Sequence, residues 1–147
     1  MKIQPWTLGI GGNRGLTVFL TVRDEIQNIT GTASLQLKIN MPPQHGELVI
    51  EPETGEPFTT LFTATARYWS DDEYNLPLEY EVGYKKLDGS LERLTARDER
   101  SVKEKLLLPE GKDGDGVVDV VLLVYDSLGA TANMTTSVVV TYSDEIN

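Results

Sequence analysis

Apolar and polar residues alternate with a period of two along much of this chain. In residues 78–85, Tyr80, Val82 and Tyr84 share one side with Leu78, while charged side chains occupy the other side. Successive side chains of a strand point to opposite faces of a sheet, so this spacing predicts a half-buried strand. Residues 62–67 alternate in the same way. The acidic, proline-bearing loop between them cannot continue a ladder, and a strand, loop and strand unit is predicted over 61–86.

Further β-prone runs lie on both sides of this unit. They cover residues 16–22, 32–40, 47–50, 91–95, 106–108, 117–125 and 135–142. Proline, glycine and Asp-Gly turn signals separate them. Residues 96–105 are predicted to form either one helical turn or an irregular edge. Short strands at regular spacing without a convincing helix predict an all-β fold, an antiparallel β-sandwich.

An internal echo bears on the domain organisation. GLTVFLTVRDE from Gly15 resembles GVVDVVLLVYDS from Gly116, and each segment leads through Asp24 or Asp126 and a polar turn into another β-rich run. Two interpretations stay open: hairpins rich in Val, Leu and Thr look alike, or the echo marks a tandem repeat. We predict an N-terminal segment and β-hairpin at 1–41, with the end of a preceding sandwich as one interpretation, and a complete β-sandwich module at 42–147.

Composition and charge exclude several classes of function. The 147 residues include no cysteine, which excludes disulfides, thiolate metal sites and a cysteine nucleophile. The formal net charge of −10 disfavours nucleic acid and anionic membrane surfaces as partners. The first residues lack the apolar core of a secretory signal, and no apolar run is long enough for a transmembrane helix, so no membrane insertion is expected in this segment.

Four segments, taken in their order along the chain, resemble a known family. They are PPQHGELVIEP at Pro42, GEPFTTLFTATARYWSDD at Gly55, NLPLEYEVGYKKLDG at Asn75 and LLLPEGKDGDGVVDVVLLVYDSLGA at Leu106. From Pro42 to Tyr142 the chain resembles the receptor-for-egg-jelly (REJ) module of polycystin-type and other surface proteins. The resemblance implies an immunoglobulin-like or fibronectin type III-like sandwich outside the cell or at its surface. Members commonly carry a cysteine pair where this chain has Leu48 and Ala66, so an apolar contact is expected there.

Acidic loop residues form a candidate metal site. Asp113 and Asp115 alternate with glycines on a loop, and Asp119 follows three residues after the second glycine. Asp71 from another loop would complete a Ca²⁺ site if both loops shared one end of the sandwich. The spacing lacks the EF-hand ligand pattern, and a solvated acidic turn is the favoured interpretation. No cofactor is therefore expected, with Ca²⁺ as the open alternative.

Two asparagines and one histidine complete the candidates. Asn28 and Asn133 each begin an Asn-x-Thr glycosylation pattern and are predicted in or beside turns. His45 is the single histidine, and it follows two prolines with no nucleophile motif nearby, which favours an ordinary loop residue over a catalytic base.

The predicted function is a non-catalytic structural, adhesion or interaction module of an extracellular or cell-surface protein. Its expected partners are neighbouring modules or other protein chains. The alternative is a sandwich that binds Ca²⁺ or a carbohydrate in its acidic end loops, and a third, weaker hypothesis is a small hydrolase.

Overall fold

The structure is a computed structural model that describes residues 2–3, 7–11, 15–112 and 114–144. Its regular elements are strands, apart from one 3-10 turn of three residues. The all-β prediction is therefore confirmed for the described residues. The chain divides into two compact units, Met1–Met41 and Pro42–Asn147, which are described separately below.

The first unit is one antiparallel sheet built around a long central strand. Its strands are β1 (Lys2–Ile3), β2 (Thr7–Gly11), β3 (Gly15–Asp24) and β4 (Ile29–Lys38). β4 pairs with β3 along its whole length, while β1 and β2 pair with different stretches of β3. The hairpin predicted at 16–22 and 32–40 is thus present, with longer strands than the pattern indicated. That this unit is the end of a preceding sandwich stays a prediction.

The second unit contains two sheets. Its elements are β5 (Glu47–Glu51), β6 (Thr54–Gly55), β7 (Phe62–Arg67), the 3-10 turn (Glu73–Asn75), β8 (Glu79–Lys85), β9 (Leu91–Arg93), β10 (Val102–Leu106), β11 (Val117–Tyr125) and β12 (Thr131–Val140). One sheet has the order β10-β7-β5 and the other has the order β6-β12-β11-β8-β9. All pairs are antiparallel except that of β6 with β12.

The core of the second unit lies between these two sheets. β7 contributes Phe62, Ala64 and Ala66, and β11 contributes alternate residues from the opposite sheet. The buried residues of β11 in this core are Val118, Val120, Leu122 and Val124. Burial of every second residue on both sheets is the pattern of a two-layer sandwich, as the sequence predicted.

Candidate functional site

Two loops meet at one end of the sandwich and hold each other in place. The amide of Ser127, after β11, donates to the carbonyl of the buried Asn75, after β7, at 2.8 Å. The Asp71 Oδ1 atom accepts the side-chain amide of Asn75 at 3.0 Å, and Asp126 accepts two backbone amides at 2.8 and 2.9 Å. Both loops therefore have fixed backbones.

Large apolar side chains project from these fixed loops. Tyr74 and Leu76 in the β7–β8 loop and Leu128 in the β11–β12 loop are all mostly or half exposed. Exposed apolar side chains on ordered loops at the end of a sandwich are typical of binding surfaces. We call Tyr74, Leu76 and Leu128 the loop-end cluster.

Two of the acidic residues predicted as a Ca²⁺ site, Asp71 and Asp115, lie at opposite ends of the sandwich. Asp71 lies beyond the end of β7, at the end of the sandwich where β11 finishes, and Asp115 lies just before β11 begins. The nine residues of β11 separate these ends by roughly 30 Å at the usual rise per residue. Asp113 lies outside the described residues. The condition that both loops share one end is therefore not met by Asp71 and Asp115.

The fourth predicted ligand is engaged locally. Ser137 of β12 donates its hydroxyl to Asp119 Oδ1 at 2.7 Å, across the β11–β12 pair. One oxygen of Asp71 is buried without a hydrogen-bond partner in the described part of the chain, but no group of three or more metal-binding side chains accompanies it there. The geometry thus offers Ca²⁺ no converging set of ligands among residues 2–3, 7–11, 15–112 and 114–144.

The two predicted glycosylation acceptors are both exposed. Asn28 closes the β3–β4 turn with a φ of 55°, and its side-chain oxygen accepts a hydrogen bond from Arg23 at 3.2 Å. Asn133 is the third residue of β12 and lies opposite Leu123. The turn placement therefore fits Asn28, whereas Asn133 is a strand residue on the outer face of the five-stranded sheet.

The residues around His45 serve local structure. The His45 Nδ1 atom lies 3.2 Å from the Ser70 hydroxyl, which also approaches the carbonyl of Gln44. The Trp69 ring packs directly on Gly46, where any side chain would collide with the ring. The Nε1–H group of Trp69 donates a hydrogen bond to the carbonyl of Glu47. This arrangement ties the end of β7 to the segment before β5, as expected of a loop histidine.

A polar network on the outer face of the five-stranded sheet was missed by the sequence pattern. Glu81 was predicted among exposed charges, yet it is buried, forms an ion pair with Arg93 and accepts the Tyr125 hydroxyl at 3.4 Å. Arg97 lies 3.9 Å above the Tyr125 ring and also pairs with Glu79. The spacing of residues along the strand predicts on which face of the sheet Glu81 lies. It does not predict Arg93 and Tyr125, the partners that cover Glu81.

Comparison with protein-family models identifies the family of this chain. A model of the REJ domain matches residues 3–147. The chain belongs to the REJ domain family. No curated protein matches it. The match confirms the resemblance noted over Pro42 to Tyr142 and extends it to the first unit.

The apolar contact expected between Leu48 and Ala66 agrees with the strand pairing. Leu48 of β5 and Ala66 of β7 are direct register partners, and both are buried in the core. REJ domains belong in general to extracellular, polycystin-type proteins. In the described part of this REJ chain, no helix has the length and apolarity needed to cross a membrane.

Proposed function

We propose that this chain is a non-catalytic structural and interaction module of an extracellular or cell-surface protein. Membership of the REJ family supports the setting. Its partners are neighbouring modules or other protein chains, since a net charge of −10 disfavours nucleic acid. The module needs no cofactor for this role and carries out no chemical turnover.

The loop-end cluster is the observation that carries the interaction role. Tyr74, Leu76 and Leu128 expose apolar area on loops that are already ordered by Asp126 and by the bond between Ser127 and Asn75. Binding through such loops loses little conformational entropy, because the backbone is fixed before the partner arrives. A protein partner with an apolar contact surface fits this chemistry.

The first test is the intact mass of the chain isolated from its native source. We expect a heterogeneous excess over the sequence mass, removed by enzymatic deglycosylation and mapped to Asn28 or Asn133, because both are exposed. Asn28→Gln and Asn133→Gln, each made separately, assign the excess to its site. An unmodified mass at both asparagines would contradict the extracellular setting.

The same sample distinguishes the alternative functions. A rise in melting temperature with Ca²⁺ but not with Mg²⁺ would favour a Ca²⁺-binding module over the proposed one. Reproducible turnover in an esterase or glycosidase screen would favour a hydrolase. We expect neither, because the described carboxylates are dispersed and His45 is used in a loop contact.

A further inference from the structure

A cavity of about 390 Å³ opens at the end of the second unit where β8 finishes and β11 begins. The β8–β9 turn forms one wall, and the segment between β10 and β11 forms the other. Its volume lies at the lower end of the range for small-molecule sites in proteins. The loop-end cluster lies at the opposite end of β11, so the two surfaces are separate.

The lining of this cavity is mainly apolar. Val118 belongs to the buried core, and Tyr84 packs against that core as a half-buried neighbour. Leu87, Pro109 and Val117 complete the apolar lining. The apolar body of a ligand would therefore contact the edge of the core and leave water.

Lysines are concentrated around this apolar lining. Residues 42–147 hold nine basic and 21 acidic side chains, and the cavity is lined by three of the nine but by only two of the 21. The three basic residues are Lys85, Lys86 and Lys112. In an acidic unit, such a local concentration of positive charge favours an anionic group on the ligand. We call this site the lysine cavity.

Two of these lysines have no acidic partner among the described residues. Lys86 forms an ion pair with Glu92 at 3.1 Å. Lys85 is exposed and Lys112 is half-buried, and neither forms an ion pair within residues 2–3, 7–11, 15–112 and 114–144.

The two acidic side chains of the lining do not neutralise these lysines. Asp88 accepts hydrogen bonds from the amide and the hydroxyl of Ser90 at 2.8 and 2.5 Å. Glu110 is exposed, and in the described part of the chain no ion pair joins it to Lys85 or Lys112. The positive charge of the two lysines is therefore available to a ligand.

Both walls of the lysine cavity have fixed backbones. In the β8–β9 turn, the amide of Lys86 donates to the carbonyl of Ser90 at 2.8 Å, and Gly89 adopts the left-handed φ of 84° that the turn requires. In the opposite wall, the amide of Gly111 donates to the carbonyl of Val140 at 2.9 Å. A site that is formed before its ligand arrives loses little conformational entropy on binding.

We propose that the lysine cavity binds a small amphiphilic carboxylate. The apolar body of the ligand contacts Tyr84 and Val118, and its carboxylate accepts hydrogen bonds from the ammonium groups of Lys112 and Lys85. An apolar lining with a few charged groups is the usual composition of a small-molecule site. This site is separate from the loop-end cluster and its interaction role, so that either can fail alone.

Titration of the isotope-labelled full chain with decanoate below its micelle-forming concentration, followed by amide NMR, tests this proposal. We expect saturable shifts at the amides of Lys86, Gly111 and Val118. Decanol has the same apolar chain without the charge and should bind more weakly. Added salt should weaken the binding of decanoate but not that of decanol, because salt screens the lysines.

Variants separate the charged part of the site from the apolar part. Lys112→Gln should raise the Kd of decanoate about tenfold and leave that of decanol unchanged, because a hydrogen bond to a charged group is lost. Lys105→Gln, at an exposed lysine outside the cavity, is the matched control. Leu87→Ser should weaken the binding of both probes, whereas Leu128→Ser, at an exposed leucine of the loop-end cluster, should weaken neither.

Each outcome decides the proposal. It is overturned by the absence of saturable shifts at the cavity, by shifts that occur only in the loop-end cluster or the first unit, or by equal affinities for decanoate and decanol. A decanoate Kd that Lys112→Gln leaves unchanged also overturns it. The amide spectrum shows whether each variant is folded, and Lys85→Gln replaces Lys112→Gln if that variant is not.

Discussion

The two hairpins of this chain carry the same local instructions and meet different surroundings. In both hairpins, β3–β4 and β11–β12, an aspartate accepts the amide of the residue two positions later, and aliphatic residues occupy every second position of the strand before it. Only the second has a sheet packed over its apolar face. Turn chemistry and period of two are thus sufficient to form the hairpin, whereas its stability as a layer depends on a second layer that lies elsewhere in sequence or in another molecule.

The largest expected effect comes from the equivalent leucines Leu122 and Leu20. Leu122→Ala should lower the free energy of unfolding of the second unit by about 2–5 kcal/mol, because it leaves a cavity in a closed core. Leu20→Ala should lower that of the first unit by less than about 1 kcal/mol, since that side chain is already half exposed. Urea unfolding, monitored by amide hydrogen exchange in β11 and in β3, measures the change in the free energy of unfolding for each variant.

Equal costs at the two positions would contradict the assignment of the difference to the burial of the two side chains.

A smaller difference is expected between the two turn aspartates. Asp126 is 1% exposed and holds the amides of Leu128 and Ala130, so Asp126→Ala should cost about 2–4 kcal/mol. Asp24 holds the amides of Ile26 and Gln27 in an exposed turn, and Asp24→Ala should cost under about 1 kcal/mol. Thermal unfolding of both variants measures the two losses of stability and so gives their ratio. A larger loss from Asp24→Ala would contradict the assignment of the difference to burial.

The sequence predicted those features that depend on local spacing. The strand expected within 78–85 is β8, because its alternation is unbroken, and the one expected at 117–125 is β11, because the whole run is β-prone. β2 was missed because its glycines interrupt the apolar pattern. The polar start of β12 hid the placement of Asn133 in a strand. Three charged residues occupy the middle of β10, so that the strand expected at 106–108 lies at Val102–Leu106 instead.

The candidate sites were harder to predict because they depend on topology. Whether Asp71 and Asp115 share an end of the sandwich follows from strand directions, which the spacing of carboxylates does not contain. Likewise, the burial of Glu81 requires Arg93, and that of Lys103 requires Asp98. Each partner arrives through tertiary packing. Pattern alone therefore predicts which residues are charged, and the fold determines which of those charges are covered.

The smallest expected effect is a response to acid confined to the second unit. Hydrogen bonds from Arg100, and then from the buried Lys103, hold the pKa of Asp98 well below its ordinary value of 3.8. A lowered pKa in the folded state means that these contacts stabilise the fold above about pH 4 and that this contribution is lost as the pH falls further. Solvent at the partly exposed Asp98 keeps the contribution small.

Amide exchange between pH 5 and pH 2 measures this response in each unit separately. Protection in β10 should fall with acid, and Asp98→Asn should flatten that fall, whereas protection in β3 and β4 should not depend on this substitution. Asp115→Asn, at an exposed loop carboxylate of the same unit, is the matched control. If Asp98→Asn altered the acid response of β3 and β4 as strongly as that of β10, the two units would unfold together. The difference in stability between the β3–β4 and β11–β12 hairpins could then not be assigned to each hairpin separately.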